Sequence, residues 1–203
     1  MAVMKAAWAA TLALLLIAAS ALLFAAAPAV GNPAVTGSKR TVLGKYLSAA
    51  EAYDTVKAER DRLLFVDVRT GAELALVGVT SEIDVQVPFS EFVEPRTWDS
   101  KAGRMATEPN ASFVQDVAAA LARKGLDKTS KVLIICRSGE RSARAVDALA
   151  KAGFADVWSV YDGFEGDLSP EGHRTINGWK NAKLPWSFKI DAAKLSPRSA
   201  QVR

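Results

Sequence analysis

A short apolar run that breaks at a cysteine and resumes as an amphipathic pattern restricts this chain's fold more than any other stretch. It reads Val132-Leu-Ile-Ile-Cys136-Arg-Ser-Gly-Glu-Arg-Ser-Ala-Arg-Ala-Val-Asp-Ala-Leu-Ala150. Val132 to Ile135 lacks polar alternation, which predicts a strand buried on both faces, as in a parallel sheet with helices above and below. After Gly139, the apolar positions Ala143, Val146, Leu149 and Ala150 recur at helical spacing, and Gly153 stands where a C-terminal cap is expected. Between strand and helix lie Cys136, Arg137, Ser138, Gly139, Glu140 and Arg141. A tight turn there lets backbone N–H groups converge with those of the helix's first turn, and such a cradle binds anions.

Cys136 is the one cysteine in the chain. A buried cysteine at a strand end, taken alone, is usually inert core. Here Arg137, Arg141 and a helix N-terminus surround it, and each favours the charged form of a thiol. The stretch therefore predicts a nucleophile inside an oxyanion-binding loop. With no second cysteine there is no internal disulfide and no resolving thiol, so any sulfur held on Cys136 has to pass to an external acceptor. His173 is the one histidine and no ligand-spaced cluster accompanies it, so no metal and no cofactor is expected.

The run Cys136-Arg-Ser-Gly-Glu-Arg141-Ser142, entered from Val132-Leu-Ile-Ile135, resembles the active-site loop of rhodanese sulfurtransferases. Leu64-Phe-Val-Asp67-Val-Arg69 resembles that family's early strand ending in Asp-x-Arg. Val157-Trp-Ser-Val-Tyr-Asp-Gly163-Phe resembles the strand and glycine turn after the catalytic helix. Together the three cover roughly Thr41 to Trp186 in the family's order. Gly78-Val-Thr-Ser-Glu-Ile83 departs from the family's Gly-His-Ile-Pro-Gly-Ala-like turn, which leaves the local geometry of that loop open. The resemblance implies an α/β fold, a single rhodanese-like domain with a mostly parallel central sheet and helices on both faces. It implies Cys136 as the catalytic residue and Arg137, Ser138, Gly139, Glu140, Arg141 and Ser142 as the substrate-binding loop.

The chain opens with one cation, Lys5, and the next charged residue is Lys39. Thr11 to Phe24 is the most hydrophobic run, followed by small residues at Ala25, Ala26, Ala27 and Ala29. Residues 1–29 therefore predict a cleaved secretory signal peptide and an exported, periplasmic protein, with no membrane contact after cleavage. The competing reading is an uncleaved membrane anchor, because the uncharged stretch is long enough to span ~30 Å of hydrocarbon. Removing the leader lowers the formal charge of +4 only slightly, and no basic run or aromatic-interleaved patch is present, so there is no case for nucleic-acid binding and no nucleic-acid partner is expected. Residues 30–40 predict a linker, residues 41–186 the domain, and residues 187–203 a tail, poorly ordered from Asp191 onward.

Within the domain, alternating patterns argue independently for a mostly parallel α/β sheet. Ser48-Ala-Ala-Glu51 is a capping box opening a helix with Ala49, Ala52, Tyr53 and Val56 on one side. Leu63 to Val68 predicts the next buried strand, with Asp67 and Arg69 at its end. Those two either project toward the ligand at the strands' carboxyl ends or, the preferred reading, form ion pairs that hold loops. Ile83 to Val87 predicts a short strand closed by Pro88. Ser90 to Glu108 has no clear periodicity and reads as a surface excursion rather than a rim over the site. Asn110 is expected to cap a helix using Phe113, Val117 and Leu121 and ending at Gly125. Trp179 and Trp186 are expected to cover a sheet face or edge.

The chemistry expected of the loop is sulfur transfer. Cys136 would take the outer sulfur of thiosulfate or a similar small anionic donor and pass it to cyanide, a thiol or a protein acceptor. Arg137 and Arg141 would hold the donor's oxyanion, and the loop amides would stabilise the persulfide. Arg144 is expected to point to solvent. Glu140 would weaken the anion site unless it turned outward. One alternative is a cysteine phosphatase or arsenate reductase, although Arg141 comes one residue too early for a loop that wraps a tetrahedral phosphate. The other is a sulfur-carrier or binding module with little turnover.

Overall fold

The computed structural model describes Val35, residues 37–101 and residues 103–196. The expected signal peptide lies outside the described residues, as does the tail beyond residue 196. Among the described residues, no helix is long and apolar enough to cross a membrane.

The central sheet contains β1 (Tyr46–Leu47), β2 (Leu63–Asp67), β3 (Val85–Gln86), β8 (Lys131–Ile135) and β9 (Val157–Val160), in the order β1-β9-β8-β2-β3. All four pairings are parallel, with β2 and β8 at the centre in the register Val66 to Ile134. Parallel strands need crossover connections, and four helices supply cover on both faces. These are α1 (Ala49–Glu59), α2 (Gly71–Val77), α3 (Phe113–Arg123) and α4 (Glu140–Lys151). The fold is thus the mostly parallel α/β domain expected from the alternating patterns.

Side chains along β2 and β8 alternate between two separate cores. Leu64, Val66, Val132 and Ile134 join Phe113, Val117, Val146 and Leu149 on the α3 and α4 face. Leu63, Phe65, Leu133 and Ile135 join Ala52, Val56, Leu74 and Trp179 on the other. Because both faces are apolar, every residue of β2 is buried and no polar alternation survives in the sequence. Each fully buried Leu, Ile or Phe contributes roughly 1.5–3 kcal/mol relative to exposure.

Helix starts follow local chemistry. The Ser48 hydroxyl accepts the Glu51 N–H while Glu51 reaches back to the Ser48 N–H, completing the capping box before α1. For α3 the expectation is corrected: Ser112, not Asn110, occupies the N-cap position. Asn110 instead donates its side-chain N–H to the Pro88 carbonyl at 2.9 Å, and its backbone N–H bonds the Phe89 carbonyl at 3.0 Å. It ties together the two ends of the excursion between β3 and α3.

That excursion also differs from expectation. It folds into two antiparallel ribbons, β4 (Ser90–Phe92) with β7 (Thr107–Pro109), and β5 (Trp98–Asp99) with β6 (Arg104–Met105). The C-terminal expectation is corrected for residues 191–196 as well. Asp191 caps a 3₁₀ turn at Ala192–Lys194, Leu195 bridges Gln86 on the edge strand, and Lys194 bonds the Ser81 and Ile83 carbonyls. Trp179 is fully buried against Phe65 and Tyr53, and Trp186 packs on Phe164 and Gly78, as sheet cover.

Candidate active site

Cys136 follows the central strand β8 and lies at the carboxyl end of the sheet, where open parallel sheets bind ligands. Its Sγ accepts the Gly139 N–H at 3.1 Å and the Ser142 N–H at 3.3 Å. Both amides belong to the head of α4, so the sulfur sits where unpaired N–H groups and the positive end of the helix dipole converge. Only about 1% of Cys136 is exposed, and it forms part of the floor of a cavity of about 500 Å³.

The turn after β9 braces this loop from behind. Phe164 N–H donates to the Cys136 carbonyl at 2.8 Å, and Glu165 N–H to the Arg137 carbonyl at 2.9 Å. The approach is so close that a Cβ on Gly163 would lie 2.6 Å from the Arg137 carbonyl carbon. Gly139 is constrained twice: its φ is +97°, and a Cβ there would meet the Tyr161 carbonyl oxygen at 2.0 Å. The two glycines permit the cradle to close around the sulfur.

The loop arginines are both engaged by carboxylates, which departs from their expected role as free anion holders. Arg137, about half exposed, bonds Glu165 at 2.5 Å. Arg141 grips Glu73 with both terminal nitrogens. Burial opposes both charges of the second pair. Even so, the Arg141 hydrogen bond and charge, with the Thr70 N–H and Arg69, hold the Glu73 carboxyl below its usual range. Burial likewise works against charge on Arg141, yet the Glu73 bond, with Cys136 and Asp67, keeps its guanidinium more firmly protonated than usual. Glu140 turns outward, where its carboxylate accepts the Ser38 hydroxyl at 3.0 Å. Ser138 lines the cavity, and Ser142 contributes its backbone N–H, its own hydroxyl being buried without a partner.

Asp67 and Arg69 form the ion pair that was the preferred reading. Arg69 donates to both Asp67 oxygens, at 2.7 to 3.1 Å, and to the Gly78 carbonyl at 3.0 Å, with both side chains fully buried. The Arg69 guanidinium stacks 4.0 Å from the Phe164 ring centroid, directly behind the cysteine loop. The pair pins the Gly78 turn, where the sequence departs from its resemblance, and neither residue lines the cavity.

Residues not anticipated complete the site. Glu73 was legible as part of the capping box Thr70-Gly-Ala-Glu73, which the structure forms. Phe89, Phe92, Arg104, Met105, Thr107 and Pro109 come from the excursion, so it is a rim of the cavity and not a surface detour. Arg144 is exposed as expected, yet it lines the same cavity with Phe89 6.0 Å away. No group of His, Cys, Asp and Glu suited to a metal ion occurs among the described residues.

A parallel α/β sheet that delivers one cysteine into an amide-lined cradle defines a class of thiol-bearing α/β domains. The sequence profile of the Rhodanese-like domain matches residues 48–168, and the chain belongs to that family. It is similar to the crystal structure of Rv0390 from M. tuberculosis, with 30% identity and a TM-score of 0.52 over 71% of this chain and 98% of that one. It is also similar to the uncharacterized protein RP600 of Rickettsia prowazekii, 26% identical over 72% of this chain and all of the relative.

Proposed function

We propose that this protein is a sulfurtransferase that carries sulfane sulfur on Cys136. The observation that supports the reading most is the pair of amide bonds from Gly139 and Ser142 to Sγ at the head of α4. Preorganised N–H donors at the position where negative charge resides lower the barrier to reactions that pass that charge through the site.

The Cys136 thiolate attacks the outer sulfur of thiosulfate or a similar anion. A sulfur–sulfur bond forms at Sγ as the donor's own breaks, and sulfite departs with the electron pair. The acceptor, cyanide or a thiolate, then attacks the outer sulfur of the persulfide and returns the electron pair to Cys136. No external oxidant or reductant is needed, and two half-reactions through a covalent intermediate predict ping-pong kinetics. Glu73 occupies two of the five N–H donors that a guanidinium carries, so Arg141 retains others for an anion in the cavity.

Mass spectrometry after treatment with thiosulfate tests the reading: one added sulfur is expected on Cys136, and none in Cys136→Ser, which also loses thiosulfate:cyanide transfer. Transfer retained in that variant would sink the covalent mechanism. Persulfide that forms without multiple turnover would mark a carrier. Hydrolysis of aryl phosphates is expected to be absent, and robust hydrolysis would favour the phosphatase alternative. We propose further that residues 1–29 are a cleaved export signal; the mature protein recovered from the periplasm should lack them on N-terminal sequencing, whereas intact Met1 in a membrane fraction would favour an anchor.

A further inference from the structure

The chain ahead of the first strand reaches the head of α4. Gly37–Lys39 form a 3₁₀ turn, and this segment runs beside the first two turns of the helix. The Ser38 hydroxyl donates to the Glu140 carboxylate at 3.0 Å, and the Asp147 carboxylate accepts the Val42 N–H at 2.8 Å. Lys39 lies between these two anchors in the chain. Its mostly buried side chain passes over Gly139 and ends on the Asp167 carboxylate, at 2.5 Å. Asp167 is fixed in turn: its backbone N–H donates to Asn177 Oδ1 at 2.9 Å, and the Asn177 side-chain N–H donates to its Oδ2 at 3.1 Å.

Gly139 is the residue that most needs such support. Its N–H donates to Sγ, yet at φ +97° it occupies a region that glycine alone enters freely, and no residue has a wider choice of backbone angles. Rotation of the peptide that carries this N–H would aim it away from the sulfur. Two groups fill the space where a Cβ would stand, the Tyr161 carbonyl oxygen at 2.0 Å from that point and Lys39 Cδ at 3.2 Å. The first belongs to the turn after β9. The second is held in place by the ion pair at its tip.

We propose that Lys39 is a positioning residue for the thiol: its stem, stretched over Gly139 by the pair with Asp167, keeps the Gly139 N–H aimed at Sγ. This rests on Cys136 as the reacting thiol of the sulfurtransferase reading. The stem acts by contact, because the ammonium is already compensated by Asp167.

The pH midpoint for alkylation of Cys136 by iodoacetamide tests the proposal, since hydrogen bonds to Sγ favour the thiolate. Lys39→Ala should raise the midpoint by about one unit, the shift expected when a hydrogen bond to a charged acceptor weakens. Asp167→Asn identifies the cause by its sign. Freeing the tip of Lys39 raises the midpoint again if the stem acts by position, whereas a through-space field would lower it, because a negative charge has been removed from the neighbourhood of the thiolate. A lowered or unmoved midpoint in Asp167→Asn would therefore overturn the proposal. Lys39→Arg, which keeps stem and charge, should titrate as the wild type does. Lys45→Met breaks a comparable pair, with Asp156 at 2.7 Å, at the amino ends of β1 and β9 and so at the opposite end of the sheet from Cys136. It should lower the melting temperature and leave the midpoint in place, and a rise equal to that of Lys39→Ala would overturn the proposal by marking a general loosening of the fold. The charged groups that share the cavity with the thiol, Glu73, Arg104, Arg137, Glu140, Arg141 and Arg144, are the same in all four variants. Below the midpoint, single-turnover uptake of sulfur from thiosulfate should slow about tenfold in Lys39→Ala and recover at high pH, following the thiolate fraction. Failure of thiosulfate to place sulfur on Cys136 of the wild type would count against the sulfurtransferase reading, and the alkylation midpoints would still decide the role of Lys39.

Discussion

Glu73 at the head of α2 and Arg141 in the first turn of α4, 68 residues apart in the chain, form a two-point ion pair in the wall of the cavity beside Cys136. The pair joins the loop that holds Cys136 to the helix that follows the neighbouring strand. It also decides how much positive charge the loop offers an anion. Replacing Glu73 by Gln should release Arg141 and lower KM for thiosulfate, while destabilising the protein by about 1–2 kcal/mol, a value reduced from that of fully buried pairs because both side chains retain some exposure. The pH dependence has a definite sign. Since the folded-state pKa of Glu73 lies below its ordinary 4.5, its contribution is present above that value and lost as pH falls through the lowered folded value. Acid melting of the wild type should include this loss, and Glu73→Gln should lack it. Arg141→Ala leaves the Glu73 carboxylate facing the donor, so kcat/KM for thiosulfate should fall about tenfold or more. The double variant should recover part of that loss, and no recovery would show that Glu73 does not control the charge of the site.

Gly139→Ala should be among the most damaging single changes. The residue must adopt φ +97°, and its Cβ would lie 2.0 Å from the Tyr161 carbonyl oxygen, a contact with backbone that no side-chain rotation relieves. A cost of about 2–4 kcal/mol is expected from strain together with displacement of the loop. Because Gly139 also donates to Sγ, transfer should fall even in whatever fraction remains folded, as single-turnover measurement at low temperature would report.

Asp67→Asn separates support from chemistry. Removing one partner of a fully buried pair leaves the Arg69 charge with the Gly78 carbonyl, the Phe164 ring and the charge of Glu73 to compensate it, which should cost about 3–5 kcal/mol in denaturant unfolding. The folded fraction should still take one sulfur from thiosulfate. Loss of persulfide formation at unchanged stability would assign Asp67 a direct role instead.

Asp162 should give the fold an unusual pH response near neutrality. Its carboxylate accepts the Ala49 N–H at 2.8 Å and the Gly178 N–H at 3.1 Å, yet burial outweighs these bonds and pushes its pKa up to about 6. An acid with a folded pKa above its unfolded 3.8 stabilises the fold below 3.8, and that contribution is lost as pH rises through about 6. The expected change is on the order of 3 kcal/mol. The difference in stability between wild type and Asp162→Asn should therefore vary between pH 4 and pH 7, and a flat difference would refute the assignment.

Much of this architecture is legible along the chain because its signals are local. The uniform apolar character of Val132 to Ile135, the Ser48-to-Glu51 capping box and the helical spacing after Gly139 each act within a few residues, and each marks an element that the structure forms. The rim was not legible for the opposite reason. Its strands are two or three residues long, half-buried or exposed, and held by pairings such as Ser90 with Pro109 that close a loop no periodicity marks. Asn110 misled as a cap because its side chain divides between two tasks: its N–H donates to the Pro88 carbonyl, while its Oδ1 accepts from Ser112, the residue that occupies the N-cap position.

The sequence by itself determined a parallel sheet with two apolar faces, and a cysteine delivered from its central strand into the first turn of a helix. Those outcomes rest on side-chain hydrophobicity and backbone hydrogen bonding, which repeat at fixed short intervals. Only the tertiary structure decided which charges remain available there. It paired Arg137 with Glu165 and Arg141 with Glu73, and it brought Arg104 and Arg144 to one cavity with Glu140, in no ion pair with any described residue. Coulomb energy depends on distance through space and on burial, and neither can be read from separation along the chain.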